Sequence, residues 1–97
     1  TEVELPDDRE QHIAERHPEL LPLHRDWIAG VLVDPDLVRQ SVRMPSAKLF
    51  SRWYAELRGG KHVVVVVIPA GQALRARVIT AYVARRLGEG KVEWKRN

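Results

Sequence analysis

Five consecutive valines, Val63 to Val67, are followed by Ile68 and preceded by Lys61 and His62. No stretch of the chain constrains the fold more. β-Branched side chains crowd the preceding turn of a helix but sit well on a pleated strand. A run with no polar break has no solvent side, so it reads as a central strand covered on at least one face. It is far too short to span a bilayer. Gly59-Gly60, just upstream, is a hairpin signal, and "PAGQ", just downstream, turns the chain. The neighbouring segments alternate with a period of two. "LVRQSVRM" (37–44) sets Val38, Gln40, Val42 and Met44 against Arg39, Ser41 and Arg43. "KLFSRWYAEL" (48–57) alternates likewise, with Trp53 expected in the core beside Leu49 and Leu57. "LRARVITAYV" (74–83) places Ala76, Val78, Thr80 and Tyr82 on one face and Arg75, Arg77, Ile79 and Ala81 on the other. "KVEWK" (91–95) reads as a short edge strand that Trp94 helps to cover.

Before Leu37 the period is helical. Asp7 and Asp8 stand at an N-cap and first turn, where acidic groups oppose the helix dipole. Ile13 is the apolar anchor, with Val3 or Leu5 folding back onto it. Pro18 pushes the residue before it out of the α region, so His17 ends this helix. Leu20, Leu21, Leu23, Trp27, Ile28, Val31 and Leu32 recur near every third or fourth position. They predict a second helix from about Pro22 to Val31, closed by the Asp34-Pro35-Asp36 turn. The expected fold is α+β: two N-terminal helices packed on a four- to five-stranded antiparallel meander, in two layers. The whole chain, 1–97, reads as a single domain, because a chain of this size supports one modest core.

The chain has no cysteine, which excludes a thiolate nucleophile, a disulfide framework and cysteine-ligated zinc. No signal peptide is visible, so the expected location is cytoplasmic, with no membrane contact. Charge is divided unevenly. Residues 1–37 hold ten acids and three bases; residues 38–97 hold three acids and thirteen bases. Twelve of the sixteen cations are arginine, whose planar fork matches phosphate oxygens. Arg39, Arg43, Lys48, Arg52, Arg75 and Arg77 fall on the expected strands. Where register allows, they converge on one face; otherwise they are its solvated side.

Polar chemistry concentrates in "HIAERHPEL", 12–20. His12 and Arg16 are four apart and share a helical face. His17 is five from His12, about 140° round the helix, which argues against a His-x-x-x-His metal pair; no metal or cofactor is expected. Cleavage of RNA suits such a set. The ribose 2′-OH is an internal nucleophile, so the protein need only move protons and stabilise phosphoryl charge. Histidine as a residue type transfers protons near neutral pH, and arginine supplies the electrostatic part. His12 or His17 would be the acid/base, and Arg16 with Arg52 or Arg77 would hold phosphate. Thr80 would orient it, with Glu19 and Tyr82 at the substrate. Each has a plainer reading. Thr80 suits a strand through β-branching alone, and Tyr82 suits a core. Trp27 reads as helix packing, and His24 and His62 as structural.

In that order, "HIAERHPEL", "DPDLV", "KHVVVVVI" and "VITAY" resemble small phage and prophage domains of the barnase–EndoU–colicin–RelE nuclease fold group. The resemblance runs from about Leu5 to Trp94. Its two specific pieces are His12-Ile13 with Arg16-His17-Pro18-Glu19, and Ile79-Thr80-Ala81-Tyr82. It implies N-terminal helices leading into a four-stranded antiparallel sheet, and a metal-independent ribonuclease or nuclease-like toxin. It carries polar roles onto His12, Arg16, His17 and Thr80, and onto Tyr82. Where related domains often have an aromatic residue shortly before the first histidine, this chain has Gln11. Where they often have a basic residue late in the central strand, it has Val66, Val67 and Ile68.

The leading expectation is therefore an endoribonuclease-like domain with RNA as partner and, for a toxin, an acidic inhibitor protein over its basic face. The alternative of another class is a non-catalytic module binding RNA or protein through a basic sheet. A third reading is a structural phage-derived domain. The edge strand "KVEWK" invites pairing between two copies.

Overall fold

The computed structural model describes residues 3–69, 75–88 and 90–96. A short strand β1 (Val3–Glu4) leads into helix α1 (Asp7–Arg16) and helix α2 (Arg25–Val33). Five strands follow: β2 (Leu37–Gln40), β3 (Lys48–Tyr54), β4 (Lys61–Ile68), β5 (Ala76–Ala84) and β6 (Lys91–Lys95). They form one six-stranded sheet in the order β1-β5-β4-β3-β2-β6. The expected antiparallel meander is β2 to β5. Two features depart from it. β1 pairs in parallel with β5, Val3 opposite Ala76, so Val3 and Glu4 extend the sheet while Val3 and Leu5 pack on the cluster that holds Ile13. β6 does not continue beside β5; it pairs with β2 at the far edge. The sheet is thus six-stranded and mixed, not a purely antiparallel sheet of four or five strands.

α1 begins at Asp7. The carbonyl of Pro6 accepts from the Arg9 and Glu10 N–H groups, and Asp7, Asp8 and Glu10 supply the acidic first turn. Pro6, not Asp7, is the N-cap. The helix ends as Pro18 requires, with His17 as C-cap donating its N–H to the Ile13 carbonyl at 2.6 Å. Successive turns through Leu20, Leu21 and His24 then precede α2, so that helix starts later than Pro22. Ile13, Leu20, Leu21 and Val31 are fully buried. They pack on Val63, Val65 and Val67 of β4 and on Ala76, Val78 and Ala81 of β5. The valine run is central, as its composition requires, because its alternate members are buried on both faces. Val64 and Val66 join Ala47 and Leu49 in a second cluster on the side away from the helices.

That second side is partly covered by the chain between β5 and β6. Leu87 packs on the second cluster, and the carbonyl of Gly88 accepts from Arg39 Nη1 at 2.6 Å. Burial of Arg39 departs from its expected place on a solvated basic face. The other strand cations do not converge either. Arg52 lies on the helix side, 3.6 Å from Asp34. Lys48 is 3.0 Å from Glu93, and Arg75 is 3.7 Å from Glu4. Trp53 is 45% exposed, not in the core; its ring lies edge-on to His62 at 4.9 Å. Trp27 does pack at the helix–sheet junction, stacked between His24 at 3.8 Å and Tyr54 at 5.1 Å. Gly59 and Gly60 both take positive φ, 78° and 98°, in the β3–β4 hairpin. Most of the expected "PAGQ" turn lies outside the described residues.

One irregularity positions the site. Val66 faces Thr80, but Val67 faces Val78, so Ile79 is an extra residue in β5. Such a bulge resets which way the following side chains point. Ala76 and Val78 face the helices, and after the bulge Ala81 and Val83 do. Thr80 and Tyr82 are therefore turned to the opposite face from Ala76 and Val78, against the simple alternation.

Candidate functional site

The sharp end of α1 brings a histidine and a carboxylate together. Once Pro18 stops the helix, the chain doubles back and sets Glu19 Oε1 3.3 Å from His17 Nδ1, each side chain about one third exposed. A histidine whose Nδ1 is engaged presents Nε2 to its surroundings. The His17 ring is also 6.4 Å from the ring of Tyr82, inclined at 43°. β1 covers β5 only at Ala76 and Arg77. Beyond them, among the described residues, β5 has no neighbouring strand on that side, and His17 lies against this open edge.

A hollow lies on each side of the edge. The smaller, about 240 Å³, is lined by Glu19, Leu57, Arg58, Lys61 and Val83. It belongs to the helix side, because Leu57 and Val83 pack there. Arg58 takes φ of 44° in the tight hairpin turn, and Lys61 Nζ donates to the Arg58 carbonyl at 2.7 Å and to that of Gly60 at 3.2 Å. An ammonium has three donors, which leaves one for a ligand. The larger hollow, about 700 Å³, lies on the other face. The cross-strand row Arg39, Leu49, Val66, Thr80 runs through it, and Ala47, Ile79 and Tyr82 line it too. Tyr82 is thus common to the larger cleft and to the surroundings of His17.

Of the residues singled out from sequence, His17, Glu19 and Tyr82 come together. Thr80 is two residues from Tyr82 and lines the cleft. His12 is half-buried on α1, and Arg16 is exposed in its last turn. Arg52 stands two strands away from β5, engaged by Asp34 and over the Tyr54 ring at 5.5 Å. Arg77 is exposed, opposite Glu4 and Ile68. Sequence reasoning missed Arg58 and Lys61. Their one signal was that cations flank the Gly-Gly turn, and nothing in the pattern tied that turn to Glu19.

Two titrations are displaced outside this cluster. Desolvation pushes the Tyr54 hydroxyl up, and its O–H donates to the Trp27 carbonyl at 3.3 Å. Desolvation holds His62 below the ordinary histidine value, against the opposing pull of Asp36. Among the described residues, no three His, Asp or Glu side chains group closely enough to hold a metal ion. No described helix is long and apolar enough to cross a membrane. No protein-family model matches this chain, and neither a curated protein nor a solved structure matches it.

Proposed function

We propose that this chain is a metal-independent endoribonuclease-like domain of the toxin or prophage type, with His17 as its general base. The observation that carries this reading is the His17–Glu19 pair at the open edge of β5, beside a hollow lined by Arg58 and Lys61. Glu19 holds Nδ1 and fixes the orientation of the imidazole. Nε2 then takes the proton of a ribose 2′-OH. The freed oxygen attacks the adjacent phosphorus, the bond from phosphorus to the 5′-oxygen breaks, and a 2′,3′-cyclic phosphate forms. The departing 5′-oxygen takes its proton from His12 or from water. Arg58 and Lys61 stabilise the charge that builds on the phosphoryl oxygens. Arg16, exposed at the end of α1, adds to the same positive field.

The test is incubation of the purified protein with total RNA and with tRNA in EDTA, beside His17→Ala and His12→Ala. A positioned acid/base contributes about 10²- to 10⁴-fold, so His17→Ala is expected to lose cleavage by that order while still binding RNA. A comparable loss in His12→Ala assigns the second proton transfer to His12; little loss assigns it to water. Absence of cyclic-phosphate ends with the wild type, or full activity in His17→Ala, overturns the proposal. RNA binding that weakens with salt, without any cleavage, would leave the non-catalytic binding module.

A further inference from the structure

We infer that the cleft on the helix-free face is a nucleobase pocket, and that the RNA this domain acts on is single-stranded. The inference rests on the RNA-directed reading above and extends it to a part of the molecule that reading does not use. The cleft holds about 700 Å³, within the range of small-molecule sites and large enough for a base with its ribose. Its floor is apolar, formed by Leu49, Val66 and Ile79. Its mouth carries Val42 and Met44, 63% and 45% exposed, on the turn after β2. Apolar side chains held open to water beside an apolar floor are suited to the face of a flat ring, and an unbranched methionine adapts to one readily. The hydroxyl of Thr80 offers a donor and an acceptor to a base edge.

Charge narrows the occupant. No carboxylate lines the cleft among the described residues, and Arg43 stands exposed at its rim. An apolar slot with a cationic rim fits a base that trails a phosphate. Tyr82 gives the direction. It lines the cleft and stands 6.4 Å from His17 across the open edge of β5. A strand with its base in the cleft would pass over this edge and bring its sugar to His17. The next phosphate would then reach Arg58 and Lys61. A base can enter only after leaving its stack, which loops and single strands permit and a duplex resists.

The experiment titrates the intact protein with a 2′-deoxy tetranucleotide, which lacks the nucleophile and cannot be cleaved, and follows side-chain methyl resonances. In parallel, a twelve-nucleotide RNA and its duplex are offered as substrates. The expected result is movement of the Leu49, Val66, Thr80 and Met44 methyls, and cleavage of the single strand at least ten-fold faster than the duplex. Thr80→Val, which keeps shape on the strand, and Met44→Glu, on an exposed turn, should each weaken tetranucleotide binding about ten-fold, in keeping with stacking and base contacts. Unmoved cleft methyls, unchanged binding in both variants, or equal cleavage of the duplex overturns the inference. The two proposals fail separately. Oligonucleotide in the cleft without RNA cleavage would leave the pocket and remove the ribonuclease. Cleavage with silent cleft methyls would leave the ribonuclease and remove the pocket.

Discussion

Replacing Gly60 with alanine should unfold this protein far more readily than replacing its neighbour Gly59. Both glycines sit in the β3–β4 hairpin at positive φ, 78° for Gly59 and 98° for Gly60. Either alanine therefore meets a backbone cost of about 1–2 kcal/mol. Part of that is offset, by about 0.4–1 kcal/mol, because alanine narrows the unfolded ensemble. The Gly59 substitution should stop there, since nothing lies within 4 Å of a Cβ at that position. At Gly60 the new Cβ would fall 2.1 Å from Trp53 Cζ2 and 2.7 Å from Cη2, so the indole must swing away. It then loses its edge-on contact with His62, and such pairs contribute about 0.5–1.5 kcal/mol. The expected losses are about 1 kcal/mol for Gly59→Ala and about 1.5–2.5 kcal/mol for Gly60→Ala. In a domain of this size that separates the two melting temperatures by about 2–12 °C. Thermal melts of the two variants measure the difference, and the His62 ring-proton shifts report whether the indole has left. Equal melting temperatures with an undisturbed His62 ring would show that the indole does not lie against the hairpin, and the reasoning would fail.

Val65→Ala, at a fully buried position in the cluster between the helices and the sheet, should cost about 2–4 kcal/mol by denaturant titration. Val92→Ala, at a β6 position that is 52% exposed, should stay within about 0.5 kcal/mol. Arg96 donates to Asp34 and Asp36 and holds the Asp34 carboxyl below its ordinary value. Its contribution is present above the ordinary carboxylate range and fades as pH falls through the depressed value. Arg96→Ala should raise the Asp34 titration midpoint measured by carbon NMR; an unmoved midpoint contradicts this. Desolvation holds His62 low, so the unfolded chain binds its proton first as pH falls and stability declines below about pH 6.5. His62→Asn should flatten that decline in urea midpoints taken from pH 7.5 to pH 5.

The parts of the fold that were legible came from local chemistry. Five valines have no solvent side anywhere in their run, so β4 could only be central. Pro18 ends α1 by a clash that no tertiary contact relieves, and this marked His17 as the end of the helix before any fold was known. The parts that were not legible depend on contacts between distant residues. The place of β6 beside β2 follows from how the chain crosses the face, which alternation does not encode. The bulge at Ile79 has no marker in "RVITAY", yet it decides that Thr80 and Tyr82 look away from the helices. Trp53 alternates with Leu49 as a core residue would, but that side of β3 is the helix-free face, and at its hairpin end the indole lies against Gly60 and His62. Arg58 and Lys61 look like ordinary turn cations until Glu19 is seen across the hollow. Arg39 reads as a solvated strand cation, and only the crossing chain with its Gly88 carbonyl accounts for its burial.

The pairing of β1 with β5 has a consequence for biosynthesis. Val3 and Glu4 leave the ribosome first of these elements, and their partners Ala76 and Arg77 emerge only after some seventy further residues. Throughout that interval β1 has nowhere to dock, and the other boundary of the sheet stays open until β6 follows. The nascent chain can gather its helices and its hairpins early, but it cannot seal either margin of its sheet until β5 and β6 have emerged. A pause with Ile68 outside the ribosome and Ala76 still within it would hold the valine strand without β5 beside it, which is the arrangement most prone to joining a neighbouring nascent chain.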